Sequence, residues 1–295
     1  MVGLRQYQIR DLILGESTAY RVTDDSDLFS RSNRSMGGDE RAWSDGSWRG
    51  AQFRSSFVVS LSLLIDARTT ELTLEAIDQL QYAMRPVGFG QDIEFVFNLG
   101  LGPRKYYGRP IMCNTELQLL GAGAVTAQLA FEVNDPVTYS ADEELIEGIT
   151  LPIYSGGHIV PHTVPFVVTG TRTGGETTID YDATHRAYPK LRINGPDKDL
   201  YPSATLDNPS VSITSDGRLL RLTVELSLKA GDWLEIDTSS RTVLLNGTAN
   251  RRTVTYTEPA GEWPSLAPGS NLVRFRGLDN SASSTLDISW LKAWY

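Results

Sequence analysis

Apolar and polar residues alternate along most of the chain, and this period of two predicts a protein built mainly of β-strands. Residues 93–99 and 125–133 alternate in the N-terminal half, and 220–228 form the longest such run. Residues 57–65 are rich in β-branched and aromatic side chains, which indicates a buried strand. Gly108 and Pro110 interrupt the strand predicted at 105–120, so we expect an edge or a bulge there.

One segment, 70–85, has helical periodicity instead. Its apolar residues recur at three- and four-residue spacing, which places them on one face of a helix. Pro86 ends the segment, because proline disfavours helical geometry in the residue before it. The residues of the apolar face are Ala76, Ile77, Leu80, Ala83 and Met84.

The pattern predicts two domains joined by a transition. Residues 1–148 contain the helix and several strands, 149–187 are rich in Pro, Gly, Thr and Val, and 188–295 contain dense strands without a helix. Asp216-Gly217 and Asn246-Gly247 are hairpin turn pairs. Short strands joined by such turns favour an antiparallel sandwich or jelly roll for 188–295.

A polar segment, 24–54, separates two predicted strands of the first domain. Trp43 and Trp48 lie within it. The plain interpretation is a long surface loop whose aromatic side chains pin it to the body. The alternative is a binding or packing arm, since long loops in compact domains are often functional.

Charge and composition narrow the class of protein. The formal net charge is −9, and residues 1–147 hold 13 basic and 21 acidic residues, or −8 of it. A basic stripe for nucleic acid is therefore not expected. No apolar run approaches the roughly 20 residues of a membrane-spanning helix, and the first residues lack the apolar core of a signal peptide. We expect a soluble, non-secreted protein with no membrane partner.

The residues that could carry chemistry have plainer interpretations. Glu235 and Asp237 alternate with apolar residues and face solvent, so paired-carboxylate catalysis is not predicted. His158 and His162 have a spacing that could bind zinc on a helix, but Pro161 and two glycines disfavour a helix there, and no third ligand is evident. Gly121-Ala122-Gly123 resembles a dinucleotide loop, but a strand pattern follows it where that fingerprint needs a helix. We predict no enzyme, no metal and no cofactor.

The segment 231–277 organises the C-terminal half. Its turn residues and the aromatic strand that follows resemble the C-terminal domain of siphophage distal tail proteins, the siphovirus-type tail components. Each piece is a turn signal, and their order and spacing together carry the resemblance. The matching residues are Gly231, Asp232, Ile236, Asp237, Asn246, Gly247, Trp263, Leu266, Pro268, Gly269, Asn271 and Trp290. We expect the Asp and Asn residues to fasten corners, and Trp263 and Trp290 to be core or interface anchors.

The resemblance implies a fold and a function. It implies an N-terminal tail-tube-like β-sandwich or split barrel with one principal helix, then a galectin-like antiparallel β-sandwich. It implies a structural protein of the virion tail tip, assembled in the host cytoplasm. As a homohexameric ring, such a protein joins the tail tube protein to the tip hub protein and anchors receptor-binding components. DNA passes through the ring without specific binding.

Two further expectations accompany this interpretation. The surplus acid of residues 1–147 would line the lumen of the ring and repel phosphate. The alternative function is a carbohydrate-binding module that recognises a host-surface glycan directly. The galectin likeness is one of fold and by itself carries no sugar site.

Overall fold

The computed structural model describes residues 2–41, 43–45, 47–48, 50–117, 124–156 and 170–295, except for the side chains of 154–156 and 170–172. The chain divides into two compact units, Met1–Ala141 with Tyr295, and Asp142–Trp294. The sequence places the boundary after residue 148, whereas the structure places it before the strand that begins at Glu144, because that strand pairs inside the second unit.

The first unit is an antiparallel sheet with one helix. Its sheet order is β2-β1-β7-β8-β9-β6-β3, with β10 beside β8, while β4 and β5 form a separate hairpin. A 3-10 turn, Ser26–Phe29, lies between β3 and β4. The strands and the helix are β1 (Gln6–Ile9), β2 (Leu12–Gly15), β3 (Tyr20–Asp24), β4 (Asn33–Met36), β5 (Ala51–Arg54), β6 (Phe57–Asp66), α1 (Thr70–Ala83), β7 (Ile93–Asn98), β8 (Pro103–Glu116), β9 (Ala124–Val133) and β10 (Thr138–Ser140).

Alternation and helical spacing place the core of this unit. Every second residue of β6 is buried, and β9 pairs with β6 along its whole length from Phe57↔Val133 to Asp66↔Ala124. Helix α1 buries Ala76, Ile77 and Leu80 in the same core. These apolar residues are the ones that the periodicity predicts, so the sheet and the helix share one hydrophobic cluster.

Local hydrogen bonds fix both ends of α1. The Thr69 hydroxyl caps the N-terminus by accepting from the Leu72 N–H at 3.3 Å. At the other end, the Arg10 guanidinium donates to the carbonyl oxygens of Tyr82 and Arg85 at 3.2 and 3.0 Å. These bonds satisfy backbone groups that a helix leaves unpaired at its ends.

The second unit is a sandwich of two antiparallel sheets. The orders are β11-β24-β15-β19-β20-β21 and β14-β23-β16-β17-β22, with β18 on β16, and β12 and β13 form their own hairpin. The strands are β11 (Glu144–Thr150), β12 (Ile153–Gly156), β13 (Gly170–Thr173), β14 (Glu176–Tyr181), β15 (Lys190–Asn194), β16 (Thr205–Ser215), β17 (Arg218–Val224), β18 (Ser227–Lys229), β19 (Trp233–Asp237), β20 (Thr242–Leu245), β21 (Ala249–Asn250), β22 (Thr255–Glu258), β23 (Gly269–Asp279), β24 (Thr285–Trp290) and β25 (Ala293–Trp294).

The two sheets of the sandwich bury their facing side chains in one cluster. Leu191 and Ile288 come from one sheet, and Val211, Leu222 and Phe275 from the other. All five have no more than a trace of exposed surface. The predicted fold class, mainly β with one principal helix and antiparallel sheets, is therefore confirmed.

The structure corrects the interpretation of segment 24–54. This segment contains the 3-10 turn and the β4–β5 hairpin, so it is not only loop. Its tryptophans do not pin it to the body, since Trp43 is 99% and Trp48 65% exposed. The hairpin arises because Asn33↔Arg54 and Met36↔Ala51 pair in register, although every residue of both strands is exposed.

Some predictions fall outside the described residues. The glycines at 121–123 and the histidines at 158 and 162 lie there. Of the transition at 149–187, the described parts end β11 and form β12, β13 and β14, so this region supplies strands to the second unit and its hairpin.

Candidate functional site

The residues singled out at 231–271 lie in the second unit, where they form two corners and part of the core between them. One corner joins the start of β19 to the end of β20. The Asn246 side chain donates to Asp232 Oδ1 at 2.9 Å, and its own Oδ1 accepts the Trp233 N–H at 2.9 Å. Asp232 Oδ2 accepts the Lys229 N–H at 3.2 Å. The two side chains thus close the corner together.

Two glycines of this corner have conformations that suit glycine. Gly231 has a φ of +83° and Gly247 a φ of +72°, and both values lie in the left-handed region. A Cβ on Gly247 would also lie 3.1 Å from the Trp233 ring. The pair of turns therefore depends on residues without a side chain.

Asp237 fastens the far end of the β19–β20 hairpin. Its Oδ1 accepts the backbone N–H groups of Ser239 and Ser240 at 2.8 and 3.0 Å. This is the side-chain turn that Asp commonly makes at the end of a strand. Ile236, one residue earlier, has no exposed surface and belongs to the sandwich core.

The second corner precedes β23 and is held by a buried amide. Asn271 Oδ1 accepts the Ala267 N–H at 2.9 Å, while its Nδ2 donates to the carbonyl oxygens of Ala267 and Gly269 at 2.8 and 2.9 Å. Asn271 has no exposed surface. Pro268 and Gly269 form the turn that this amide encloses, and Gly269 has a φ of +98°.

The remaining motif residues anchor the core. Leu266 is fully buried and exchanges two backbone hydrogen bonds with Ala187, at 2.9 and 3.0 Å. Trp263 and Trp290 are each 5% exposed and belong to the sandwich cluster. The Arg252 guanidinium lies 4.9 Å from the centre of the Trp263 ring. The motif thus sits in turns and core rather than in one cleft.

Charged and polar contacts also hold the end of the chain. The Ala293 N–H donates to the Tyr181 hydroxyl at 2.8 Å, and burial raises the pKa of Tyr181 to about 12. Lys292 pairs with Glu144 at 2.8 Å and Asp182 at 3.0 Å. Hydrogen bonds to these two carboxylates raise the pKa of Lys292. The end of the second unit is therefore tied to β11 and β14.

The carboxylates near the motif lie in turns, on an exposed strand face or in hydrogen bonds with the backbone. Asp216, at a φ of +50°, lies in the two-residue turn between β16 and β17, and Glu235 is exposed on β19. Asp232 and Asp237 already accept backbone N–H groups. Within the described residues, no group of three or more His, Cys, Asp or Glu side chains could hold a metal ion.

Two features of the first unit lie on its surface, and sequence reasoning located them only in part. Beyond Gly108, β8 pairs with β9 alone, because its register with β7 ends at Ile93↔Gly108. Residues 109–116 therefore have one unpaired edge among the described strands, and Ile111 and Met112 on it are exposed. Gly108 and Pro110 signal this edge in the sequence, and a bulge follows Pro110 as expected.

The second surface feature is the β4–β5 hairpin with its connecting loop, which we call the arm (residues 33–54). The arm exposes four large apolar side chains, Met36, Trp43, Trp48 and Phe53. Soluble proteins seldom leave such groups together in water unless a partner covers them. The signal in the sequence is the presence of two tryptophans inside a polar segment.

Comparison with known proteins gives a family match for the second unit and a fold match for nearly the whole chain. Residues 194–294 match the sequence profile described as siphovirus-type tail component, C-terminal domain. No curated protein matches the chain.

Two solved structures share the fold over nearly the whole chain. The crystal structure of the Dit protein of phage SPP1, described as a paradigm of the hub adsorption apparatus of phages that infect Gram-positive bacteria, is 12% identical with a TM-score of 0.59. The match covers 98% of this chain and 94% of that chain. The baseplate of phage P2 in its activated conformation with Ca matches at 9% identity and a TM-score of 0.53, covering 97% and 98%.

The profile match covers the region of 231–277, and the resemblance seen in that segment is confirmed. The match identifies residues 194–294 as a tail-component domain and supports a location of the protein in the virion. No helix in the described part of the chain is both long and apolar enough to cross a membrane.

Proposed function

We propose that this protein is a ring-forming distal tail protein at the tail tip, with six copies joining the tail tube to the tip hub. The observation that carries the proposal is the unpaired edge of β8 at 109–116. A long edge with free N–H and C=O groups is a template for pairing with another chain. The exposed Ile111 and Met112 add apolar area to that pairing.

A second, complementary edge supports closure into a ring. The register between β3 and β6 ends at Asp24↔Ser62, so residues 57–61 of β6 have no strand partner on that side among the described strands. Pairing the β8 edge of one copy with the β6 edge of the next is a head-to-tail contact. Head-to-tail contacts repeat around an axis and close into a ring when the rotation allows it.

The arm gives the ring a further contact. All four of its large apolar side chains are more than half exposed, and burying Trp43 and Trp48 against a neighbouring copy would contribute about 2–3 kcal/mol each. That contribution offsets the cost of ordering a long exposed segment. The arm therefore binds the adjacent subunit in this proposal.

The remaining partners follow from the proteins that share the fold. The SPP1 protein is described as part of a hub adsorption apparatus and the P2 structure as a baseplate. By analogy, the ring binds the tail tube protein on one side and the tip hub protein on the other. It also anchors receptor-binding proteins, and the chain has an architectural rather than an enzymatic role.

DNA would pass through this ring without specific binding. Residues 1–147 carry a formal charge of −8, and acidic walls repel phosphate whereas cationic walls bind it tightly. In this proposal, the surplus acidic side chains of residues 1–147 line the inner wall of the ring. An assembled structure with those side chains on the outer wall and a neutral or basic bore would contradict it.

Light scattering coupled to size exclusion tests ring formation in solution. The purified chain has a mass of 32.5 kDa, and the proposal predicts a species of about six times that mass at high protein concentration. Mixing with the tail tube protein should favour that species, because the tube supplies a template. A protein that stays monomeric in the presence of the tube protein would count against the ring.

A further inference from the structure

A cavity of about 400 Å³ opens on the second unit, beside the Asp237 turn and Trp263. It lies between four segments: the approach to β15, strand β17 at Leu220, the β19–β20 turn and the turn around Trp263. Its volume falls within the range of small-molecule sites. The side chains that matter for its chemistry are Arg186, Tyr188, Arg241, Glu262, Trp263 and Ser265.

The cavity holds two arginines without a carboxylate partner. Arg186 and Arg241 are exposed, and neither makes an ion pair with any described residue. Other arginines of this unit differ, since Arg221 pairs with Glu258 at 3.2 Å. Glu262 also lines the cavity, but Arg218 already binds its carboxylate. Two guanidinium groups without a carboxylate partner among the described residues therefore line one cavity in a protein whose net charge is −9.

Neutral groups orient one of these cations and add a flat surface. The Arg186 Nη1 donates to Ser265 Oγ at 3.4 Å, and Ser265 is 2% exposed. A buried hydroxyl thus holds the guanidinium on the cavity wall. The Trp263 ring is buried in the wall, whereas the Tyr188 ring is about half exposed on the rim. The rim can therefore pack against the body of a bound molecule.

These groups define a class of ligand. A guanidinium presents a planar fork that matches the oxygen pairs of phosphate and carboxylate groups. An aromatic ring beside the fork suits an organic body rather than a bare ion. We propose that this cavity binds a small organic anion, with Arg186 and Arg241 on its phosphate or carboxylate group and Tyr188 against its body. The inference rests on this cavity and does not depend on ring formation.

Isothermal titration calorimetry of the full chain tests the site. The probes are glycerol phosphate, glucuronate, inorganic phosphate and uncharged glucose. We expect saturable binding of glycerol phosphate or glucuronate, and the stronger of the two tells which anionic group the site takes. Glucose should not bind, and inorganic phosphate should bind more weakly because it makes no contact with Tyr188.

The variants locate the binding. R186Q/R241Q should weaken it by at least about tenfold, since each charge-assisted hydrogen bond contributes that order of affinity. R221Q removes the same charge outside the cavity and should leave binding unchanged. R186K and R241K keep the charge but lose the fork, so each should bind with intermediate affinity. Both arginines are exposed, and thermal unfolding should confirm that the variants are folded.

Three results would overturn the proposal. The first is the absence of saturable binding for all three anions. The second is an equal loss of affinity in R221Q, which would indicate general electrostatics. The third is tight binding of a simpler probe. Glucose that binds as tightly as the organic anions would contradict the role of the arginines, and inorganic phosphate that does so would contradict the role of Tyr188.

Discussion

Asn271 shows how one residue of the motif stabilises the sandwich. Its amide accepts one backbone N–H and donates to the carbonyl oxygens of Ala267 and Gly269, all inside one buried turn. An apolar replacement leaves these backbone groups buried without partners. A buried backbone group without a hydrogen-bond partner lowers the free energy of unfolding by more than one hydrogen bond normally contributes to it. Asn271 therefore acts on stability and not on chemistry.

Replacing Asn271 with alanine should lower the free energy of unfolding of the second unit by about 2–4 kcal/mol. Denaturant unfolding followed by circular dichroism measures the change as a shift in midpoint. Asn280→Ala is the matched control, because Asn280 is exposed and should change stability by less than about 0.5 kcal/mol. Equal midpoints for the two variants would contradict the role assigned to the buried amide.

Asp279 gives the protein a pH dependence at acid pH. Burial alone would raise the pKa of this carboxyl, but hydrogen bonds from the hydroxyl and backbone N–H groups of Ser281 and Ser284 outweigh burial and lower it. A lowered pKa in the folded state means that the ionised form stabilises the fold. This stability is present above the pKa of an unfolded Asp, about 3.9, and is lost as the pH falls through the folded pKa.

We expect the difference in stability between the wild type and Asp279→Asn to disappear at acid pH. Asp279→Asn should unfold more easily than the wild type at pH 7, and the gap should shrink as the pH falls below about 4. Unfolding midpoints measured from pH 7 to pH 2.5 check this. A gap that stays constant over that range would show that the charge of Asp279 contributes nothing.

At the scale of elements, the arm is the feature whose behaviour depends most on a partner. Trp43 is 99% exposed and so contributes no packing within the described chain. Trp43→Ala and Trp48→Ala should leave the unfolding midpoint unchanged but weaken assembly, because each removes apolar area from the proposed contact. The apparent association constant from sedimentation should fall by about tenfold or more for each change.

A matched control separates the arm from general surface effects. Phe89 is also fully exposed, but it lies outside the arm, so Phe89→Ala should assemble as the wild type does. In the wild type, tryptophan fluorescence should shift to shorter wavelength on assembly as Trp43 leaves water. Assembly without that shift would rule out burial of the arm tryptophans.

The β8 edge makes a separate prediction. Ile111→Lys with Met112→Lys should block assembly without lowering the stability of the monomer, since charge on an edge strand opposes pairing with another chain. Leu4→Lys is the control, because Leu4 is exposed on the same unit but lies outside the edge. If the double variant formed particles of the same mass as the control, the edge would not be the interface.

How far the sequence predicts these elements depends on where their stability originates. Alternation located β6 and β9, and three-and-four spacing located α1, because burial against one core imposes those periods. Turn chemistry located the corners at Asn246 and Asn271. The β4–β5 hairpin was missed because its residues are all exposed, and no burial imposes a pattern on them. The sequence does not reveal the cavity arginines, because four segments distant in sequence form that cavity.

At the scale of the whole molecule, the exposed features of the chain favour assembly with further copies. Residues 194–294 match a tail-component domain, and the solved structures that share the fold come from a phage hub and a phage baseplate. The first unit supplies two unpaired edges and the arm, which are the features that a closed ring uses. The second unit is a sandwich whose corners are held by side-chain hydrogen bonds. Ring formation is therefore the central claim, and the organic-anion site is an independent addition to it.

Electron microscopy of the tail tip tests that claim most directly. Class averages of virions, or of the purified chain bound to the tail tube protein, should show a six-fold ring, with the 109–116 edge of each copy at the contact with the next. A map in which this protein forms no ring, or in which that edge faces solvent in the assembled tip, would contradict the account.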